Sequence, residues 1–90
     1  MEYRKFGKQY VIRLEKGEEI VSSIKDLCVK ENIKLGSLSG IGAVNKVTAG
    51  LFKTGEKKYV SRTYEEDMEI VSLGGNVSRM NGETYLHFHI

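Results

Sequence analysis

The sequence predicts an α+β domain with one long helix near the N-terminus, followed by strands joined through hairpin turns. Three observations carry that reading. Only one stretch repeats its apolar residues at helical spacing, the segments after Ile33 read as strand, and glycine-bearing turn signals separate them.

Tyr10-Val11-Ile12-Arg13-Leu14 is β-branched and aromatic with partial alternation and stops at Glu15-Lys16-Gly17, which makes it a short first strand. From Glu18 the period changes. Ile20, Ile24, Leu27 and Cys28 fall at i, i+4, i+7 and i+8, one stripe of a 3.6-residue helix. Glu18 and Glu19 are expected in its first turn and Lys30 in its last, each with the sign the helix dipole favours, and Asn32 is a candidate stop. The helix is therefore expected over about residues 17–31.

The run Gly36-Ser37-Leu38-Ser39-Gly40-Ile41-Gly42-Ala43-Val44 reads as a strand of small residues against which another backbone packs closely. Beyond it, Val47 to Lys53 and Lys57 to Tyr64 flank a turn at Thr54-Gly55-Glu56, and Glu65-Glu66-Asp67 breaks the run. Met68 to Met80 is a long strand in which Gly74-Gly75 marks an expected bulge or bend. Asn81-Gly82 is the strongest turn signal, because a two-residue type I′ loop needs positive φ at both positions. It joins Met80 to a last strand, Thr84 to Ile90, and hairpins in this succession predict a meander.

Ninety residues suit a single domain whose core is thin, since folding at this size removes roughly 60–65% of the unfolded surface from water. Hydrophobic residues at 40% and charged residues at 29% exclude a disordered or fibrous chain. The 14 Lys+Arg and 12 Asp+Glu are interleaved, so the net charge of +2 builds no field that would by itself concentrate nucleic acid. One cysteine, Cys28, excludes an intramolecular disulfide and a thiolate metal cluster, and its place on the helix stripe makes it core filler. No apolar run is long enough to span a bilayer and no apolar segment follows Lys5, so a cytoplasmic protein with no membrane partner is expected. The sequence stops within the alternation Leu86-His87-Phe88-His89-Ile90, and further C-terminal strands are expected to be missing.

Few residues are arranged for chemistry. The glycine run lacks the Gly-Lys-Ser/Thr of a phosphate loop, has Asn45 where a dinucleotide fingerprint needs its third glycine, and follows a helix instead of a strand. No spacing ties a serine to a histidine and to Asp26 or Asp67 in a triad. His87 and His89, at i and i+2 on a strand, point to one face and can converge on a cation; a half-exposed polar pair has the same spacing, and zinc normally takes three or four protein ligands. Two small basic patches carry aromatics: Lys57-Lys58 with Tyr59 and Arg62, and Arg4-Lys5 with Tyr3 and Phe6. The single long helix has no partner with which to form a helix-turn-helix.

Taken in order, Val11 to Glu19, Ser37 to Val44, Tyr59 to Tyr64, Met68 to Ser78 and Tyr85 to His89 resemble the plants-and-prokaryotes conserved (PPC) domain, from about Tyr10 to Ile90. The resemblance implies a curved, mostly antiparallel sheet with one main helix packed on it, and homotrimeric assembly. Plant relatives join this module to AT-hook peptides built on Arg-Gly-Arg-Pro; a chain without proline contains none, so the family's DNA-binding label arrives here without the element that carries it. Prokaryotic members can hold a metal through the His-x-His strand and a histidine in a later Gly-Gly-His-Leu segment. His87 and His89 match the first part and the second is absent, which leaves the site that the resemblance implies, for zinc or another divalent metal, without its third histidine.

The reading favoured by these residues is a non-enzymatic, homotrimeric interaction module with weak DNA binding and a divalent metal at His87 and His89. The alternative is a metal-dependent enzyme acting on a small-molecule ligand, with Ser39, Glu69 and Asn76 as its polar groups. A pocket holding a metal with an open coordination position would favour the enzyme, a flat face the module.

Overall fold

The computed structural model describes residues 1–90. In chain order it contains β1 (Glu2–Phe6), β2 (Gln9–Arg13), α1 (Ile20–Lys30), β3 (Gly36–Val44), β4 (Val47–Lys53), β5 (Lys58–Tyr64), β6 (Met68–Met80) and β7 (Glu83–His89). One helix and mostly antiparallel strands in open sheets make the α+β class that the sequence predicts. The strands order as β1-β2, β4-β5 and β3-β6-β7. The expected meander is corrected here, because β6 lies beside β3 and β7 and not beside β5. A Cβ added at Gly40 would lie 3.2 Å from Leu73 Cδ2, a tight contact with a side chain, whereas one at Gly74 would make an ordinary 3.9 Å contact with the Leu38 carbonyl oxygen, so within the glycine run of β3 the close neighbour found is the Leu73 side chain and not the backbone of β6. β6 runs as one 13-residue strand through Gly74 and Gly75, and its burial alternation slips phase just before them, from Met68 and Ile70 inward to Leu73, Gly75 and Val77 inward, in keeping with the expected bulge or bend.

The chain divides into two compact units, Met1–Gly36 with Asn76–His87, and Ser37–Gly75 with Phe88–Ile90. The first holds the buried core: Leu27 and Cys28 on the helix stripe and Val77 on β6. Its helix starts at Ile20, three residues later than expected, because Glu19 is the N-cap (φ −82°, ψ 133°) and its carboxylate accepts from the Ser22 N–H. Glu18 lies before the cap, where it accepts from the Met1 amine at 2.7 Å and the Glu15 N–H at 2.7 Å. The expected pair of first-turn acids is thus a pair of local caps. At the other end Asn32 takes φ 55° and the Ile33 N–H donates to the Cys28 carbonyl, closing the helix where a left-handed residue was expected.

β1 is unforeseen. It pairs antiparallel with β2, with Tyr3 opposite Ile12 and Lys5 opposite Tyr10, around a turn in which Gly7 takes φ 62°. The Tyr3 and Tyr10 rings meet at 6.2 Å and, with Ile12, form the half-buried face of this hairpin. The β6–β7 turn is the expected one: Asn81 and Gly82 take φ 53° and 80°, and the Arg79 guanidinium donates to the Gly82 carbonyl at 2.7 Å.

In the second unit β4 and β5 form a ribbon with Val47 opposite Tyr64, Leu51 opposite Val60 and Lys53 opposite Lys58. The Thr48 and Thr63 hydroxyls hydrogen-bond across it at 2.8 Å. Only Val47 and Ala49 are half-buried, and every residue of β5 is exposed.

Candidate functional site

Burial along β7 alternates, placing Leu86 and Phe88 on the half-buried side and Tyr85, His87 and His89 on the exposed side. Strand periodicity therefore does for His87 and His89 what the sequence leads one to expect. No group of three or more His, Cys, Asp or Glu side chains comes together to hold a metal. Two imidazoles fit part of a zinc set, and the rest of such a set is not supplied by these residues. Cys28 cannot join them: it is buried, and burial pushes its thiol pKa up, opposing the thiolate that a metal needs.

The residues named for small-molecule chemistry are scattered. Ser39 on β3 and Glu69 and Asn76 on β6 are all exposed. Glu69 and Ser72 edge an open concavity of about 420 Å³ in the second unit, which is otherwise lined by apolar side chains such as Val44, Tyr64, Met68 and Ile90; Ser39 is not on its wall.

Strand alternation divides both basic patches. Alternation along β1 sends Tyr3 and Lys5 to one face and Arg4 and Phe6 to the other. Lys5 Nζ lies 5.7 Å from the Tyr10 ring centroid and Lys30 Nζ 5.6 Å from that of Tyr3, so both cations already sit over rings. Arg4, Phe6, Val11, Arg13 and Lys30 line an open concavity of about 740 Å³. In the second patch Lys53, Lys58 and Arg62 take the face of the β4–β5 ribbon opposite Tyr59, with Lys57 in the turn, and these four cations stand against one carboxylate, Glu56. Lys46, just before β4, forms an ion pair with Glu65 at 3.5 Å.

Sequence reasoning found Tyr59 in this patch but missed Phe52 and Gly50. Phe52 lies directly opposite Tyr59, and the Tyr59 ring lies over Gly50, where a Cβ would overlap the ring carbons and the hydroxyl. A glycine inside a strand facing an aromatic across a short turn is the signal that could have found them.

The profile of the Plants and Prokaryotes Conserved (PCC) domain matches residues 1–90. No curated protein matches the chain. Among solved structures, a candidate DNA-binding protein of Bacteroides thetaiotaomicron is 39% identical with a TM-score of 0.95, over 99% of this chain and 62% of its own. A metal-containing protein of Archaeoglobus fulgidus is 32% identical with a TM-score of 0.82, over 86% of this chain and 55% of its own. A plant- and prokaryote-conserved protein of Pyrococcus horikoshii is 36% identical with a TM-score of 0.78, over 86% of this chain and 54% of its own. The chain thus spans little more than half the length of these proteins. No helix is long and apolar enough to cross a membrane. With its whole length matched by the profile and its fold shared with the Pyrococcus protein, the chain belongs to the Plants and Prokaryotes Conserved (PCC, or PPC) domain family.

Proposed function

We propose that the chain acts as a single, non-enzymatic module that assembles with copies of itself, as a trimer, and touches DNA weakly, with His87 and His89 giving two ligands to zinc or another divalent metal. One observation carries the assembly. The accessible surface is 7549 Å², whereas a folded monomer of 10.2 kDa exposes about 5,300 Å². The excess is about 2,200 Å², and a subunit with two neighbours of standard interface size hides roughly 1,600 Å²; since the chain spans only 54–62% of these relatives' lengths, the rest of a longer chain is the competing cover for that surface. Ile41 and Val71, each more than nine-tenths exposed, are the apolar residues most in need of cover. The DNA and metal parts lean on the Bacteroides and Archaeoglobus proteins, and both remain modest here: the net charge is +2, and the two histidines have no third ligand beside them.

Light scattering at tens of micromolar, about the range of ordinary assays, tests the assembly, and a trimer mass is expected. A monomer overturns it. Zinc titrated into the same sample is expected to bind weakly, and more weakly still after His87→Ala or His89→Ala. Uptake indifferent to both substitutions removes the histidines from the proposal.

A further inference from the structure

The β4–β5 ribbon holds a constellation that assembly and metal binding leave unused. Phe52 and Tyr59 are directly opposed, and their face also carries Gly50. Tyr59 reaches diagonally to lie over the Gly50 backbone, a separation of about 7–8 Å that aromatic side chains span. Glycine weakens a strand interior, so its value at position 50 is the close approach it permits. One side of the ring is seated on backbone, yet Tyr59 is 69% exposed and Phe52 53%. The outward side of the ring is open.

Cations surround this platform. Lys53 and Lys58 are opposed at the end of the ribbon, Lys57 occupies the turn with φ 52°, and Arg62 lies further along β5. Two lysines placed directly across a ladder repel each other, so the arrangement is relieved when an anion binds. Lys53, Lys58 and Arg62 start from the face opposite Tyr59, but neighbouring strands are only about 5 Å apart, and their long side chains reach around the edges.

Three occupants can be weighed on this chemistry. An apolar protein surface would match the rings and leave four cations desolvated without partners. A duplex would meet the cations with phosphates but keep its base faces stacked inside, away from the rings. An unpaired strand presents base faces and phosphates together.

We propose that the β4–β5 ribbon binds single-stranded nucleic acid, an unpaired base stacking on the open face of Tyr59 beside Phe52 and the phosphates meeting Lys53, Lys57, Lys58 and Arg62. The proposal rests on the nucleic-acid part of the function proposed above and replaces its unspecified contact with a defined one.

Fluorescence anisotropy on the 90-residue protein, with a labelled oligo-dT of about 15 nucleotides and a duplex of equal length, separates the two claims. The single strand is expected to bind at least about tenfold tighter than the duplex at equal salt. Tyr59→Ala is expected to weaken it about tenfold and Tyr59→Phe to leave it unchanged, because stacking uses the ring and not the hydroxyl. Gly50→Ala, which displaces the ring, should move affinity in the direction of Tyr59→Ala. Replacing Lys57 and Lys58 by Gln should flatten the slope of log affinity against log salt by about 1.4, two single-strand phosphate contacts. Circular dichroism and light scattering on each variant report fold and assembly; if Tyr59→Ala fails to fold, Phe52→Ala and the lysine slope decide. Equal affinity for both nucleic acids, untouched by the ring substitutions, overturns the ribbon site and leaves weak DNA contact standing. Binding to neither overturns both. Ring substitutions that change the assembly but not the affinity assign the ribbon to contacts between copies, and overturn it as well.

Discussion

The helix-bearing unit and the β4–β5 ribbon use their apolar residues in opposite ways. In the first, Leu27, Cys28 and Val77 are withdrawn from water and the helix that carries two of them is closed by local hydrogen bonds at both ends. In the ribbon, Leu51, Phe52, Tyr59 and Val60 stay exposed although cross-strand pairing is complete from Val47↔Tyr64 to Lys53↔Lys58. Folding of this chain explains the first set. It does not explain the second, whose side chains gain little by the chain's own folding and are therefore available to something outside it.

The sharpest way to break this contrast is to truncate one residue of each kind. Leu27→Ala is expected to lower unfolding free energy by about 2–5 kcal/mol, the range for a buried leucine, whereas Val60→Ala on the ribbon should cost under about 1 kcal/mol. Urea melts at low protein concentration measure both, and equal losses would mean that the ribbon is part of the core.

A second test reads burial through reactivity. Because burial raises the Cys28 thiol pKa, alkylation at neutral pH should be slow in the native protein and accelerate many-fold in urea. Fast native labelling, followed by intact mass, would show that the helix opens readily and that the first unit is no firmer than the second.

The smallest effect is expected at Glu18. The hydrogen bond from the Met1 amine, and then that from the Glu15 N–H, hold its carboxyl below the usual 4.5. A carboxyl whose pKa is lower in the folded state stabilises the fold above its unfolded pKa and loses that contribution as pH falls through the folded one. Glu18→Gln should therefore lower stability slightly near pH 7, match the parent at acid pH, and so remove a small part of the acid dependence below about 4.5, measured by thermal melts across pH. An unchanged acid profile would mean that the contact is absent in solution.

How legible all this was in the sequence depends on the distance over which each feature is decided. The stripe Ile20, Ile24, Leu27, Cys28 is a local signal, and its last two members are buried as the spacing predicts. Val47–Lys53, Met68–Met80 and the Asn81-Gly82 turn were likewise readable, because alternation and positive φ are properties of adjacent residues. β1 was missed because Glu2, Arg4 and Lys5 hide a strand whose order comes from β2 across the turn. The neighbour of β6 was misjudged because periodicity identifies a strand and not its partner. Within the candidate site, the exposed face shared by His87 and His89 was legible, and the metal ligands that would complete it were not, since those depend on what folds nearby. The Tyr59–Gly50 contact is diagonal across two strands, so it becomes visible only once the register is known.

In a two-stranded sheet both strands are edges. β4 and β5 each leave one row of backbone groups without a sheet neighbour, in a chain that has no proline to blunt them. Such a ribbon is a template for fibril-like stacking, and the residues that deter it are gatekeeping charges: Lys53, Lys57, Lys58 and Arg62. The cations that would grip phosphate are then also the ones that keep free ribbons apart. Neutralising them, or screening them with concentrated salt, should turn solutions cloudy before the helix unfolds. A bound polyanion would instead shield the ribbon while cancelling its charge, so for this protein occupancy and colloidal dispersal become one event.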